Sequence, residues 1–406
     1  MSGPLTGTKV VELASEIGAW AGKLFADMGA DVVLVEPTGG HYTREFGPFA
    51  DDMPGRERSL WFWHYNVGKK GVTLDLDEPE GRAWFERLVE GADILIEAEP
   101  EGRLDALGIG LDVFRVADPR LITVSISPFG RGMPRAGEQS TDLTILASGG
   151  PAWSCGYDDH TLPPVRGGGN QGYQTASHFA VMSALAALVH RDAGGPGQHI
   201  DVNAHAASNV TTEAGSYSWL VAKQTVQRQT GRHAAVNPTA PTQVRCADGK
   251  YANTGIVIRQ PGQYRHLHEW LTSAGLVEKF EQAAVLEWAM EGGVLDIAAT
   301  DDETRSKLQA GRDAVNFLAA NLPAYEFFAG GQARDLQVSI IYSPEEVIED
   351  PHMVARGFPT EVYHDEIGRS VVYPGAFSRF TKSPIAVGGA APRVGEHNAQ
   401  FLAGAL

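Results

Sequence analysis

Residues 8–36 constrain the fold more than any other stretch. "TKVVEL" (8–13) is a short Val-rich apolar run. "GAWAGKLFADMGA" (18–30) sets Trp20, Leu24 and Phe25 on one side of a helix that Gly29 can end, and "DVVLVE" (31–36) is a second apolar run. A strand, a helix and a strand in so short a span form a parallel pair with a right-handed crossover. The alternation continues through a strand ending near Leu76, a helix over 78–90 with Trp84, Phe85, Leu88 and Val89 on one face, and the runs "ADILIE" (92–97) and "LITVSIS" (121–127). This pattern predicts an α/β protein whose large domain has a mostly parallel sheet.

The stretch "PPVRGGGNQGYQTASHFAVMSALAALVHRDAGGPGQ" (163–198) runs from a glycine cluster into a helix that is apolar on nearly every side, which predicts a buried helix. Glycines at the start of a helix let backbone approach a ligand. The cluster 167–172 also fits G-x-G-x-x-G, but two prolines precede it where a dinucleotide fold needs a strand, so no NAD or flavin site is expected. After a strand and helix start in "GQHIDVNAHAASNV", the pattern becomes extended and turn-rich. Asp248-Gly249 signals a hairpin, and helices follow, including 304–321. The expected domains are 1–225, the first part of the large domain; 226–325, a smaller α+β domain; and 326–406, a segment returning to the large domain.

With 50 Asp and Glu against 33 Lys and Arg, the formal net charge is −17, which argues against a nucleic-acid surface. No apolar run reaches the ~18 residues that span a bilayer, and the N-terminus lacks a signal-peptide pattern, so a cytoplasmic protein without membrane contact is expected. Cys155 and Cys246 read as small buried residues rather than a disulfide or metal pair. Asp158, Asp159 and His160 read as loop polarity, with no metal spacing. His178 reads as a core residue. "LWFWHY" (60–65) suits a core or an interface. Lys69 and Lys70 precede a strand in a glycine turn, where they either meet phosphates or stand in solvent.

The residues carry a family resemblance. "LTGTKVVELASEIGAWAGKLFADMGADVVLVEPTGG…TREFGPF", "YNVGKKGVTLDLDEPEGRAWFERLVEGADILIE", "DALGIGLDVFRVADPRLITVSISPFG", "GGPGQHIDVNAHAA" and "EDPHMVARGF" resemble, in order, stretches of the class III CoA-transferases, the formyl-CoA and carnitine CoA-transferase type. The resemblance implies a Rossmann-like large domain built from both chain ends with a small domain between, coenzyme A or an acyl-CoA as substrate, no metal, and a dimer of two interlocked rings. It also implies an aspartate nucleophile, which takes the acyl group from the thioester and then carries CoA to the acceptor acid. Its position, in the turn entering the helix, falls on Gly168. Other family positions also differ: Ala98 and Glu99 stand for an Asn and an aromatic, Ala106 for an Arg, and Asp77 for a basic residue. Acidic residues there oppose an anionic ligand. Lys69, Lys70, Arg44 and Arg103 are the basic candidates for CoA contacts. Thr141, beside Asp142, occupies the position of the histidine of the family's racemases, which argues against racemisation.

The expectation is a non-catalytic subunit. It is similar to the aspartate-lacking chain of heteromeric members such as succinyl-CoA:benzylsuccinate CoA-transferase, and works beside a paralogue that bears the aspartate and small-molecule acids. The alternatives are an aspartate-independent enzyme on acyl-CoA (hydrolase, isomerase or lyase) and an acyl-CoA binding or regulatory module.

Overall fold

The computed structural model describes residues 3–403. The chain divides into two compact units, one of 1–153, 165–217 and 348–406, the other of 154–164 and 218–347.

The first unit is built on β1 (Lys9–Leu13), α1 (Ala19–Asp27), β2 (Asp31–Glu36), α2 (Leu60–Asn66), β3 (Lys70–Thr73), α3 (Pro79–Val89), β4 (Ile94–Glu97), α4 (Arg103–Ala106), α5 (Leu111–Ala117), β5 (Ile122–Ser127), α6 (Asp142–Gly149), α7 (Gln171–Asp192), β6 (His199–Asn203) and α8 (Ala204–Asn209). The six strands are all parallel, in the order β3-β2-β1-β4-β5-β6. The chain reverses direction across the sheet between β1 and β4. Loops leaving the C-terminal ends of those two strands diverge there, and the opening between them is where such a sheet accepts a ligand.

Both faces of the sheet are covered, which is why the strands read as unbroken apolar runs. Val10, Val32, Ile94, Ile96 and Val124 pack against α1, α7 and α8. Val11, Val33, Val35 and Leu95 pack on the other side against Trp84, Phe85 and Phe114 of α3 and α5. Helix α7 meets the sheet through the small residues Ala176, Ala180, Ala184 and Ala187. Its opposite side is open within the chain: Met182 is 56% and Val189 71% exposed. The burial expected all round this helix is therefore one-sided. His178, expected in the core, is exposed and accepts the indole N–H of Trp20 at 3.3 Å.

Segment 60–65 is helical and mainly core, with Phe62, Trp63 and Tyr65 buried. Of the cysteines, Cys246 is buried but Cys155 is exposed, because its loop lies at the surface. No helix among the described residues is long and apolar enough to cross a membrane.

The second unit packs helices Pro261–Ser273, Ala283–Met290, Asp302–Asn321 and Ala324–Gln332 against a three-stranded antiparallel sheet. Asp248-Gly249 turns the hairpin between Gln243–Arg245 and Tyr251–Asn253. Ser339–Ile341 pairs with Tyr251–Asn253, and this pairing keeps 326–347 in the second unit rather than in the returning segment expected from sequence. The second unit likewise begins at 218 and takes in 154–164, where Asp158 binds Arg232 through two contacts at 2.8 and 3.0 Å.

Candidate active site

A cleft of about 600 Å³ opens in the first unit at the β1/β4 divergence. Residues 14–17 after β1, 98–101 after β4 and 127–131 after β5 form its floor and sides, and Tyr173 of α7 closes one wall. A second cleft of about 400 Å³ runs along the ends of β2 and β3. It shares Ala14, His41, Tyr42 and Glu99 with the first, so the two make one groove along the strand ends.

The glycine turn lies beside this groove. Gly167, Gly168 and Gly169 precede Asn170, whose side-chain amide reaches Glu16 in the cleft wall at 3.5 Å. The Arg166 guanidinium holds the turn by donating to the carbonyls of Gly167 (3.1 Å) and Gly169 (2.6 Å), and it reaches Asp142 at 3.4 Å. Asp142, buried at the start of α6, also accepts the backbone N–H of Tyr173 at 3.0 Å and so ties α6 to α7. Thr141 caps α6. Gly168 faces open space: a Cβ there would meet nothing within 4 Å. The position thus has room for a carboxylate and lacks one.

Of the four basic candidates, only Arg103 lines the groove. Its Nε donates to Glu99 at 3.1 Å and its Nη2 lies 3.3 Å from Asp77. Arg44 is fully buried and forms four hydrogen bonds: two to Glu36, one to Glu57 and one to the Pro392 carbonyl. Lys69 is neither a solvated turn residue nor a free phosphate ligand. Its ammonium donates to Glu12, Asn66 and the Ala19 carbonyl, each at 2.9 Å, which uses its three donors. Lys70 lies within β3, half-exposed, and pairs with Asp31 at 2.7 Å. Gly22 of α1 makes room for the Glu12–Lys69 pair, since a Cβ there would overlap the Glu12 carboxylate.

Glu16, Tyr42, Arg131 and Asp142 were not singled out from sequence as parts of a site. The available signal was position: Glu16 follows the first strand of a Rossmann-like unit. Burial, and secondarily Asp142, pushes the Glu16 carboxyl up, and Tyr42 is its hydrogen-bond partner. Burial and Glu16 push the Tyr42 and Tyr173 hydroxyls up, so both stay protonated.

Burial pushes His41 and His64 down to about 4. Both are neutral at pH 7. Between the ordinary imidazole value near 6.5 and 4, the unfolded chain binds protons that the native chain does not, so acidification through this window removes stability. The buried carboxyls of Glu12 and Asp27 shift upward and act in the opposite sense, so the histidine effect is read by difference. Going from pH 7 to pH 5, His64→Gln is expected to lose about 1–2 kcal/mol less than the unsubstituted chain in urea denaturation. An identical loss in both proteins would refute the assignment.

Comparison with known proteins gives the family and agrees with the fold. The CoA-transferase family III profile matches residues 5–398. The succinyl-CoA:(R)-benzylsuccinate CoA-transferase subunit BbsE of Thauera aromatica is 30% identical over 400 residues, 97% of this chain and 92% of its own. The succinate–glutarate CoA-transferase of Agrobacterium fabrum is 30% identical over 411 residues, 98% of this chain and 95% of its own. Among solved structures, a CAIB/BAIF family protein from Brucella suis superposes with a TM-score of 0.79 at 26% identity, covering 99% of both chains.

Proposed function

Because the chain belongs to CoA-transferase family III, we propose that it is the non-catalytic subunit of a heteromeric enzyme that moves CoA from an acyl-CoA donor to a carboxylic acid. One observation carries this reading: the turn entering α7 is Gly167-Gly168-Gly169, with no carboxylate to form an acyl anhydride or a CoA thioester. The groove beside it supports the reading. The first cleft's walls hold the carboxylates Glu16, Glu99, Glu101 and Glu138 against one guanidinium, Arg131, which is unfavourable for a polyanion.

The nucleophile then comes from a paralogous, aspartate-bearing subunit. In the proposed assembly the two chains interlock, and the open apolar side of α7, with Met182 and Val189, is the kind of surface such an interface covers. Succinyl-CoA is the proposed donor and an aromatic succinate such as benzylsuccinate the proposed acceptor, on the likeness to the Thauera subunit. The proposed setting is the cytoplasm, in aromatic degradation.

Expression with and without the paralogue tests the reading. The chain alone is expected to transfer no CoA, and the pair to be active. Gly168→Asp in the isolated chain should fit sterically yet restore no transfer, because the acidic groove remains. A trapped aspartyl-CoA adduct on that variant would overturn this. Acyl-CoA hydrolysis or isomerisation by the chain alone would instead favour an aspartate-independent enzyme, for which Glu16, a cleft carboxyl that burial pushes up, would be the acid or base. Saturable CoA binding without turnover would favour a binding module.

A further inference from the structure

Several polar donors at the strand ends are already bound to acids of the chain itself. Glu97, the last residue of β4, is fully buried. Its Oε2 accepts the backbone N–H of Glu99 at 2.8 Å, and its Oε1 accepts from the Arg131 guanidinium at 2.6 Å. Beyond β5, the N–H of Arg131 donates to Asp201 Oδ2 at 3.0 Å and the next N–H, of Gly132, donates to Glu101 Oε1 at 2.7 Å. Arg103 lies between Glu99 and Asp77 at 3.1 and 3.3 Å. Consecutive backbone N–H groups and guanidinium forks are the groups that hold phosphate oxygens. Here, carboxylate oxygens occupy them.

We infer that Glu99 and Glu101 act as built-in anions that exclude phosphate-bearing ligands, the class of the diphosphate and 3′-phosphate of CoA, from this chain's groove. Two separate effects follow from the geometry. The Glu101 carboxylate occupies the Gly132 N–H and the Glu99 carboxylate pairs with Arg103, so these two donors are already taken when a phosphate arrives. Their charges also repel it in a cleft partly shielded from water. Neither residue is needed to bury apolar surface: Glu101 is exposed and Glu99 is only half-buried. The inference deepens the non-catalytic reading and rests on it, because a subunit that scaffolds its partner gains if it does not compete for the donor.

Titration calorimetry of the full chain with CoA, and separately with inorganic pyrophosphate, tests it. The unsubstituted chain is expected to give no saturable heat up to about 1 mM CoA. Glu99→Ala/Glu101→Ala frees the Gly132 N–H, leaves Arg103 with Asp77 as its one acidic partner and removes both charges, and is expected to bind CoA at least about tenfold more tightly. Glu99→Gln/Glu101→Gln keeps an acceptor for Gly132 while removing charge, and should gain less; its near-native shape guards against a folding artefact. Saturable CoA binding by the unsubstituted chain, or no gain in either double variant, would overturn the inference. Binding without transfer in the unsubstituted chain would sink this inference alone, whereas transfer by that chain would sink the non-catalytic reading itself.

Discussion

Lys69→Met is expected to destabilise the protein by about 3–5 kcal/mol. The Lys69 and Glu12 side chains are both inaccessible to solvent, and their nearest contact is 2.7 Å. Burial pushes the Glu12 carboxyl up and the Lys69 ammonium down, while their mutual attraction opposes both shifts. Removing the ammonium leaves Glu12 in the first-unit core with its strongest partner gone. A buried pair costs most when it is broken and least when it is replaced whole. The double variant Lys69→Met/Glu12→Leu should therefore recover most of the loss, a non-additivity of several kcal/mol in chemical denaturation. A single-variant loss below about 1 kcal/mol would show that the pair does not organise this core. In the proposed complex, Lys70→Ala, unlike Lys69→Met, should leave both stability and the KM for the CoA donor nearly unchanged, because its Asp31 partner is half-exposed.

Arg44→Lys is expected to lose about 2–3 kcal/mol, and Arg44→Ala more. The guanidinium makes a bidentate pair with Glu36 at 2.7 Å on both branches, reaches Glu57 at 2.9 Å and the Pro392 carbonyl at 2.8 Å, and stacks 3.7 Å from the centre of the Phe62 ring. A lysine ammonium cannot reproduce the planar fork or the stacking. Since Arg44 fastens the segment at Pro392 to the end of β2, limited proteolysis should cut first near 390–394 in the variants. If Arg44→Lys kept full stability and instead raised the KM of the complex for CoA, Arg44 would be a ligand contact and not a core clamp.

These two residues show where sequence reasoning reached its limit. Lys69 beside Gly68 and Arg44 in a glycine-rich loop have the composition of anion sites, and nothing local distinguishes them from one. Glu12, the partner of Lys69, lies 57 residues away, and Glu36 pairs with Arg44 only because 37–43 loops back over the end of β2. The glycine turn was legible, because its place before a long apolar helix is a local property. The acidic groove was legible in part. By the family resemblance, Asp77 and Glu99 stand where basic or neutral groups are expected, but Glu101 on the Gly132 N–H and Glu97 under Arg131 are contacts between strand ends and loops that only the parallel sheet brings together.

Helix α7 marks the same boundary from the other side. Its composition demands that nearly every face be covered. The tertiary structure covers the alanine face with the sheet and leaves Met182 and Val189 to solvent within the single chain. By itself, the sequence determined the parallel α/β architecture, since strands buried on both faces must be apolar throughout. It also determined the absence of a carboxylate at the helix turn. Only the tertiary structure decided which charges are free, because pairing in a low-dielectric core depends on distances of a few ångströms between residues that the chain order leaves far apart.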